Sequence, residues 1–387
     1  MKDHRKKKFL RVAIVSERRA DYSRFKPILS LMKSDPFFDY RLFVTGVSLL
    51  KRHGEDINLI KKDGFKIAGV LPMYHEKAPD TGAEMTRSYA RVLYALTDAF
   101  EKNKPDLILT GFDIGANFAA AVAGAHMNIP VAHIQGGEVT GSIDESLRHA
   151  TSKFAHIHFP ATRLSAQRLR RMGEDPRFIF IVGCPSIDAL LQAPKMSRSE
   201  TVSSLGLDSH ESYILVVQHP VTTEMNNSGE QVKETLRAVA DLKLQGIVLY
   251  PNNDAGSRAL IREIRNSRLK HIRSLPSEHY ANVLRHSSCL VGNSSSGIHE
   301  SATFKIPTVN VGTRQQGRER PKNVIDVGYN RKEIVGALKR ALFDTSFKKT
   351  TSMVKNPYGD GKSAERIVKI LKRINFSSIP IQKKFVD

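Results

Sequence analysis

The chain has 387 residues, of which 40% are hydrophobic and 26% charged; this length suggests two domains, and this composition is typical of globular proteins. Its 60 Lys and Arg outnumber 39 Asp and Glu, and the resulting net charge of +21 favours a polyanionic partner. The basic residues are spread along the chain without a zinc-finger or RNP-type motif, so we expect no nucleic-acid partner. Two cysteines, Cys184 and Cys289, exclude a disulfide framework and fit a cytoplasmic location.

The hydrophobic stretches are too short or too interrupted for a membrane protein. The apolar run before Arg18 and Arg19 is brief and has no small-residue cleavage site, so it predicts a first β-strand, not a signal peptide. The longest apolar region, 107–134, contains Asp113 and other polar residues and is not expected to span a membrane.

Short β-branched runs alternate with longer helical patterns, which is typical of parallel sheets. In the first half, the pattern predicts strands at 11–16, 40–45, 107–110, 131–134 and 178–182, and helices at 23–33, 86–103 and 116–127. In the second half, it predicts strands at 213–218, 245–250, 289–292 and 308–311, and helices at 230–242, 254–266, 278–285 and 298–304. We therefore predict an α/β fold with two Rossmann-like, doubly wound domains that face a central cleft.

The predicted domains are an N-terminal one at 1–185 and a C-terminal one at 186–362. The polar segment 193–210 lacks strand periodicity and is the predicted linker. The tail, 363–387, begins with a strongly amphipathic helix that we expect to cross back onto the first domain. Doubly wound domains bind ligands at the carboxyl ends of their strands, so the strand-to-helix loops are the candidate functional regions.

A serine-rich run at 292–300 follows one predicted strand and opens a helix. Its small residues, among them Ser294, Ser295 and Gly297, allow the backbone to approach a ligand. The free N–H groups of a helix start favour a phosphate. A serine-rich helix cap without a ligand is the alternative interpretation.

Two further loops of the second domain carry candidate binding residues. Arg314 follows the next predicted strand, and a guanidinium group suits diphosphate oxygens because its donors form a fixed fork. Arg320, in the same loop, is interpreted as an ordinary surface residue. His219 follows the strand at 213–218 and is predicted to face the cleft, with a capping or core histidine as the alternative.

The loop after the first strand also suggests an anion site. Arg19 stands at a predicted helix start, where its charge opposes the helix dipole, and an anion beside it would explain its presence. Ser23 is a second candidate binding residue here. Either Asp21 or Ser23 could instead cap the helix.

The stretch 133–149 concentrates acids, histidines and glycines after a strand. Together with Asp113, its carboxylates are candidates for proton transfer at one site. The candidates in this stretch are Gln135, Glu138, Asp144, Arg148 and His149. The alternative is a helix after a glycine turn, with Asp144 or Ser142 as its cap.

Other kinds of site are not indicated by the sequence. No His/Cys spacing resembles a zinc site, and the acids lack the calcium-loop pattern, so we expect no metal. The sequence has no nucleophile elbow, no Walker loop and no GxGxxG motif after the first strand, so a nicotinamide cofactor is not indicated and we expect no cofactor. Asn253 is a further predicted substrate-binding residue.

Taken together, these blocks resemble the UDP-N-acetylglucosamine 2-epimerase family, whose members have two Rossmann-like domains of the glycosyltransferase-B type. The matching stretches, in chain order, are RADYSRFKPIL (19–29), MNIPVAHIQGGEVTGSIDESLRHA (127–150), GCPS (183–186), HPVTTE (219–224), GNSSSGIHE (292–300), GTRQQGRE (312–319) and NPYGDGKSAERIV (356–368). The GGEVTG, HPVTTE and GTRQQGRE forms resemble the hydrolysing branch, which forms N-acetylmannosamine for sialic-acid synthesis.

The resemblance implies that UDP-N-acetylglucosamine and water give N-acetylmannosamine and UDP, through a glycal-type intermediate that is then hydrated. It places the family's acids on Asp113 and Asp144 and its first-loop nucleotide contacts on Arg19 and Ser23. It also implies a homodimer. The second-domain UDP site falls on His219, Ser294, Ser295, Glu300 and Arg314, with Glu300 on the ribose hydroxyls.

Two positions depart from the family pattern. Gln135 stands where many relatives have Glu and others His; because glutamine cannot act as a base, proton transfer moves to Asp113, Asp144 or Glu138. Ser48 stands where relatives often have a histidine.

Several alternative functions stay open at this point. They are a non-hydrolysing epimerase, a hydrolysing epimerase of a UDP- or GDP-linked diacetamido-trideoxy sugar, and a glycosyltransferase of the same fold. A basic nucleic-acid-binding protein is the alternative without catalysis.

Overall fold

The computed structural model describes residues 9–51, 56–79, 81–112, 115–252 and 254–387, which contain two parallel six-stranded sheets. The first sheet is formed by β1 (Leu10–Ser16), β2 (Phe38–Val44), β3 (Ile67–Val70), β4 (Leu107–Gly111), β5 (Val131–Ile134) and β6 (Ile157–Phe159). The second is formed by β7 (Tyr213–Val217), β8 (Gln245–Leu249), β9 (Lys270–Ile272), β10 (Cys289–Gly292), β11 (Thr308–Val311) and β12 (Val324–Val327).

Helices occupy most connections between the strands. Up to the second sheet they are α1 (Arg19–Ser34), α2 (Ile57–Lys62), α3 (Gly82–Asn103), α4 (Gly115–His126), α5 (Ile143–Phe154), α6 (Arg163–Arg171), α7 (Pro185–Gln192) and α8 (Arg198–Ser204). Beyond β7 they are α9 (Ser228–Asp241), α10 (Ser257–Asn266), α11 (Ser277–His286), α12 (Ser296–His299), α13 (Arg331–Phe343), α14 (Thr345–Ser352) and α15 (Ser363–Arg373).

Both sheets have the strand order of a dinucleotide-binding fold. The first runs β3-β2-β1-β4-β5-β6 and the second β12-β11-β10-β7-β8-β9, which is the same order read from the other edge. The order reverses between β1 and β4, and again between β7 and β10, and ligands bind outside the strand ends at such points. The predicted two-domain α/β fold is confirmed.

The central strands are buried because helices cover both faces of each sheet. In β1, every residue except Arg11 is buried, and β7 is buried along its whole length. Continuous apolar runs of this kind are expected in parallel sheets, where no strand face meets water. No helix in the described parts of the chain is long and apolar enough to cross a membrane.

The strand predicted at 178–182 is wrong. The chain forms a 3₁₀ turn at Pro176–Phe178 and then runs beside β6 with one isolated bridge, between His158 and Ile179. Two further backbone hydrogen bonds, from Phe180 to His158 and from Val182 to Pro160, hold it there. The apolar run is therefore an extended segment at the sheet edge, because β6 itself is only three residues long and offers few partners.

The linker predicted at 193–210 is not irregular throughout, because it contains α8. Ser197 and Glu200 form a capping box at the start of that helix, in which each side chain accepts a hydrogen bond from the other residue's N–H. The segment is mostly polar and shows no hydrophobic helical pattern, so the sequence did not predict this short helix. Two of its residues, Thr201 and Val202, are nevertheless buried.

The C-terminal helix α15 packs against the core of the first sheet. Ile367 and Leu371 are fully buried in the same apolar cluster as Ile14 of β1. The carboxylate of Asp188 in α7 accepts the N–H groups of Ser363 (3.1 Å) and Ala364 (2.7 Å) and so holds the start of α15. The last helix thus ties the tail to the N-terminal part of the molecule.

Candidate active site

Two adjoining cavities lie in the cleft at the carboxyl ends of the two sheets. The larger has a volume of about 320 Å³ and the smaller about 140 Å³. Both are lined by Arg18, Ala20, Arg24, His219, Asn252, Ser294 and Ser295. These shared residues come from the start of α1, which follows β1, and from the loops after β7, β8 and β10, so the junction of the cavities lies at the two strand-order reversals.

The larger cavity has a carboxylate and aromatic side chains on its second-domain wall. Glu300 Oε2 accepts a hydrogen bond of 2.5 Å from the Ser296 hydroxyl, which is hydrogen-bonded in turn to the Tyr280 hydroxyl. Tyr250, at the end of β8, also lines this cavity. The arrangement offers a fixed hydrogen-bond acceptor beside a surface on which a planar ring can pack.

The loop after β1 is shaped by a buried aspartate. Asp21 accepts the backbone N–H groups of Glu17 and Arg18, both at 2.8 Å, so it, not Ser23, caps the start of α1. Ser23 lines the larger cavity, where its hydroxyl donates to the carbonyl of Ala20.

Arg19 also lines the larger cavity. The sequence predicted an anion beside it, and in the structure a protein carboxylate lies there. Its Nε atom donates to Asp56 Oδ1 at 2.7 Å. Arg18 turns toward the junction instead, with Nη2 at 3.2 Å from Glu17 Oε1. The loop therefore presents two guanidinium groups to the cleft, and each is paired with a carboxylate, Arg19 with Asp56 and Arg18 with Glu17.

His219 lies at the junction as a neutral hydrogen-bond donor. Its Nδ1 atom accepts the N–H of Asn252 at 3.0 Å, which leaves the proton on Nε2. Burial lowers the pKa of the imidazole well below its usual value, and the charges of Arg314 and Arg18 add to the effect. Since the backbone of His219 is also bonded to the Asn293 side chain, at 2.7 and 2.8 Å, the ring is held firmly in place.

Arg314 and Asp144 face each other across the cleft. Arg314 Nη2 lies 3.3 Å from Asp144 Oδ2, and its Nη1 donates to the carbonyl of Asn293 at 3.4 Å. Ser142, not Asp144, is the N-cap residue of α5, and its side chain makes no capping hydrogen bond. Asp144 is thus directed toward the second domain by its ion pair.

A buried network surrounds Glu138 in the smaller cavity. Glu138 Oε2 lies 3.0 Å from His299 Nε2 and 3.3 Å from Arg318 Nη2, both in the second domain. Its Oε1 accepts a hydrogen bond of 2.9 Å from Gln135 Nε2, and its backbone carbonyl accepts one of 3.1 Å from Arg148. The network joins the two domains.

The protonation of this network follows from its charges. Burial alone raises the pKa of Glu138, but His299, Arg318 and Arg148 outweigh it and hold the pKa well below its usual value. Burial lowers the pKa of His299 to about 4 against the opposing effect of Glu138. These charges favour the carboxylate form of Glu138 and make it a weak base, and burial favours the neutral form of His299, which donates to it.

Two predicted binding residues have other contacts. A Cβ atom on Gly297 would lie 2.6 Å from the Thr308 side chain, so this glycine allows α12 to pack on the sheet. His149 faces Glu145 on its own helix, with Nε2 at 3.8 Å from Oε1, and is not among the residues that line the two cavities. Neither residue lines the two cavities, and substrate binding by either one stays a prediction.

Two other predicted residues, Asp113 and Asn253, lie outside the residues that the structure describes. Ser294 and Ser295 line both cavities as expected. However, α12 has only four residues, so its dipole is weak, and the charge at the junction comes mainly from arginine side chains.

Several cavity residues were not singled out by the sequence patterns, namely Arg18, Arg24, Asn252, His299 and Arg318. Three of them stood inside motifs already noted: Arg24 in 19–29, His299 in 292–300 and Arg318 in 312–319. Their position at the carboxyl end of a strand was the available signal. Among the described residues, no group of three or more His, Cys, Asp or Glu side chains could hold a metal ion.

Comparison with known proteins agrees with this architecture. The family model described as UDP-N-acetylglucosamine 2-epimerase matches residues 31–372. The co-structure of S. aureus MnaA with UDP superimposes with a TM-score of 0.80 at 19% identity, over 98% of this chain and all of that one. The chain belongs to the UDP-N-acetylglucosamine 2-epimerase family.

Relatives within this family carry different names. The chain is 37% identical to the UDP-N,N'-diacetylbacillosamine 2-epimerase (hydrolyzing) of Legionella pneumophila, over 96% of this chain and 98% of the relative. It is 30% identical to the UDP-N-acetylglucosamine 2-epimerase of Neisseria meningitidis, over 97% of this chain and 99% of the relative. Both names describe a 2-epimerase of a nucleotide sugar. They differ in the sugar, and only one of them specifies hydrolysis.

Proposed function

We propose that the protein is a hydrolysing 2-epimerase of a UDP-linked 2-acetamido sugar, which it converts with water to the free 2-epimer and UDP. The observation that carries this proposal is the order of groups along the two joined cavities. An acceptor suited to ribose, Glu300, comes first; guanidinium and imidazole donors lie at the junction; carboxylates lie in the smaller cavity. A nucleoside, a diphosphate and a sugar follow each other in the same order in the substrate.

In this proposal the larger cavity holds the nucleoside. Glu300 is oriented by Ser296 and accepts hydrogen bonds from the ribose hydroxyls. Arg314, Arg18 and the Nε2–H of His219 donate to the diphosphate, where charge accumulates as the C1–O bond breaks. Donors fixed before the reaction stabilise such charge without having to reorganise.

The smaller cavity then holds the sugar and the acid–base groups. The C2 proton is not acidic, so breaking of the anomeric C1–O bond leads or accompanies its transfer to a base. UDP leaves with the bonding electron pair, a glycal forms, and water adds hydroxyl at C1 and a proton at C2 on the opposite face. Asp113 and Asp144 are the proposed proton-transfer residues; Glu138, a weak base in its network, is assigned a positioning role.

Substrate binding is expected to release Asp144. In the structure its carboxylate is paired with Arg314, which is also the proposed diphosphate ligand. A diphosphate that engages Arg314 competes with this pair, and a carboxylate that loses a nearby cation becomes a stronger base. The base is thereby strengthened only when a nucleotide sugar is bound.

Two sugars are candidates for the substrate. The 37% identity to a diacetylbacillosamine epimerase favours UDP-N,N'-diacetylbacillosamine, a diacetamido-trideoxy sugar. UDP-N-acetylglucosamine, with N-acetylmannosamine as product, is the second candidate, favoured by the motif resemblance. Both share the reacting atoms at C1 and C2, so the same residues serve either one.

The test is to incubate the purified protein with each UDP-sugar separately and to follow the products by NMR. The proposal predicts UDP and a free 2-epimerised sugar from at least one substrate, without any added acceptor. Formation of only a UDP-linked epimer would assign the non-hydrolysing reaction, and UDP release that requires a sugar acceptor would assign a glycosyltransferase. Homodimer formation and a cytoplasmic location stay predictions, to be tested by light scattering and cell fractionation.

A further inference from the structure

Gln135 occupies a constrained position at the edge of the smaller cavity. It directly follows β5, its side chain is 2% exposed, and its φ of +61° lies in the left-handed region that non-glycine residues rarely adopt. Strained residues of this kind persist where the surrounding structure holds them, often at ligand sites. Its backbone N–H donates to the carbonyl of Phe159 at 2.9 Å, which helps to hold it.

The amide of Gln135 can adopt only one orientation. Its nitrogen lies 2.9 Å from Glu138 Oε1, and Glu138 is kept ionised by His299 and Arg318. An ionised carboxylate has no proton to donate, so the Gln135 NH₂ group must face it. The carbonyl oxygen, Oε1, therefore points away from Glu138.

That oxygen is buried and has no hydrogen-bond partner among the residues that the structure describes. Gln135 also lines the smaller cavity, as Asp144 does. A buried amide oxygen is rarely left unpaired, because the loss of its hydrogen bond to water is not recovered. Gln135 thus holds a fixed, uncharged and unpaired acceptor in the wall of the cavity.

We propose that Gln135 determines sugar specificity by accepting, through Oε1, a hydrogen bond from an N–H or O–H group on the sugar ring. Glu138 acts as the positioning residue that fixes the amide orientation. Gln135 takes no part in proton transfer here. The identity of the ligand rests on the proposed function, whereas the orientation of the amide follows from the network alone.

Such an acceptor discriminates against sugars that have no hydrogen-bond donor at the matching position. A sugar with hydrogen or a methyl group in place of the donor would leave Oε1 buried and unpaired, and it would bind less well for that reason. A hydroxyl and an acetamido N–H can both satisfy the oxygen, so the site is compatible with both candidate sugars. Discrimination is expected against deoxygenated or N-methylated analogues.

The test compares wild-type protein with Gln135→Met, which keeps a similar length but has no amide. Calorimetry is carried out with UDP and with a UDP-N-acetylglucosamine analogue in which the C1–O bond is replaced by C1–CH₂, so that no reaction occurs. In Gln135→Met, UDP affinity should be unchanged within about twofold, and the additional affinity due to the sugar should fall about tenfold or more. Gln135→Leu provides a second apolar replacement if the first does not fold.

The outcomes separate the two proposals. If the wild-type protein binds the analogue more tightly than UDP, and the variants keep that advantage within twofold, the role of Gln135 is overturned while the proposed function stands. If the wild-type protein binds the analogue no more tightly than UDP, the sugar site itself is refuted. A third arm uses analogues that lack one donor at a time: removal of the donor bound by Gln135 should cost the wild type about tenfold and Gln135→Met almost nothing.

Discussion

Arg314 Nη2 lies 3.3 Å from Asp144 Oδ2, and this ion pair joins the second domain to the first across the cleft. Arg314 also donates to the carbonyl of Asn293, at the end of β10, so its guanidinium is held in the wall of the smaller cavity. The proposed substrate presents its diphosphate at this point. A single arginine is therefore expected to sense the nucleotide and to control the proposed base.

Replacement of Arg314 tests the diphosphate contact. Arg314→Ala removes charge-assisted hydrogen bonds worth about 1.5–3 kcal/mol each, so the dissociation constant of UDP in calorimetry should rise about tenfold or more. Arg331→Ala is the matched control, because it removes an arginine of the same domain that is paired with Asp241 on the surface. Equal UDP affinity in the Arg314 variant and the control would remove Arg314 from the site.

Replacement of the two aspartates tests proton transfer. Asp113→Asn and Asp144→Asn should each lower kcat about a hundredfold or more, the usual scale for general acid–base catalysis. UDP affinity should not fall in either variant, since Asn is close to isosteric with Asp. Asp144→Asn is expected to raise it, because the substitution removes the carboxylate that competes with the diphosphate for Arg314. Asp98→Asn, on the exposed face of α3, serves as the control in the same turnover assay. Near-normal turnover in both variants would refute the assignment.

The Glu138 network predicts a specific pH dependence of stability. Because the pKa of Glu138 is lowered in the folded state, its contribution is complete above the usual glutamate pKa of about 4.3 and is lost as the pH falls below it. Glu138→Gln should lower the free energy of unfolding at pH 7 by about 3–5 kcal/mol, because the buried guanidinium of Arg318 loses the negative charge that faces it. The difference from wild type should shrink at pH 4 and below, as measured by denaturant unfolding.

His299 acts in the same direction over a neighbouring range. Its pKa of about 4 in the folded state lies below the usual histidine value, so the unfolded chain binds more protons between about pH 4 and 6.5 and stability falls as the pH decreases through that range.

Glu230→Gln, an exposed substitution in α9, is the control for the Glu138 variant. A Glu138→Gln protein as stable as wild type at pH 7 would contradict the network.

The sequence predicted the fold well because local patterns decide it. The buried strands β1, β4, β7 and β10 are continuous apolar runs, and each precedes a helical pattern, as a parallel sheet requires. The strand predicted at 178–182 was wrong because an apolar run does not show whether a neighbouring strand is long enough to pair with it. The edge strand β6 is too short.

The site was harder to predict from the sequence, because the residues that contact each other there are far apart along the chain. Glu138 and His299 are 161 residues apart, and no periodicity indicates that they meet. The carboxylate was named as a candidate base, whereas its partners make it a poor one. In contrast, Ser294 and Arg314 line the cavities, as their place in the loops after two predicted strands suggested, and substrate binding by either one stays a prediction.

The most direct test of the proposed reaction is to run it in D₂O enriched in ¹⁸O with the UDP-sugar that the protein turns over. Elimination across C1 and C2 followed by hydration predicts one deuterium at C2 of the released sugar and no ¹⁸O in UDP, because the C1–O bond breaks and UDP keeps its bridging oxygen. NMR and mass spectrometry read both labels from the same sample. A released sugar that retains its C2 proton, or UDP that carries ¹⁸O, would contradict the proposed reaction.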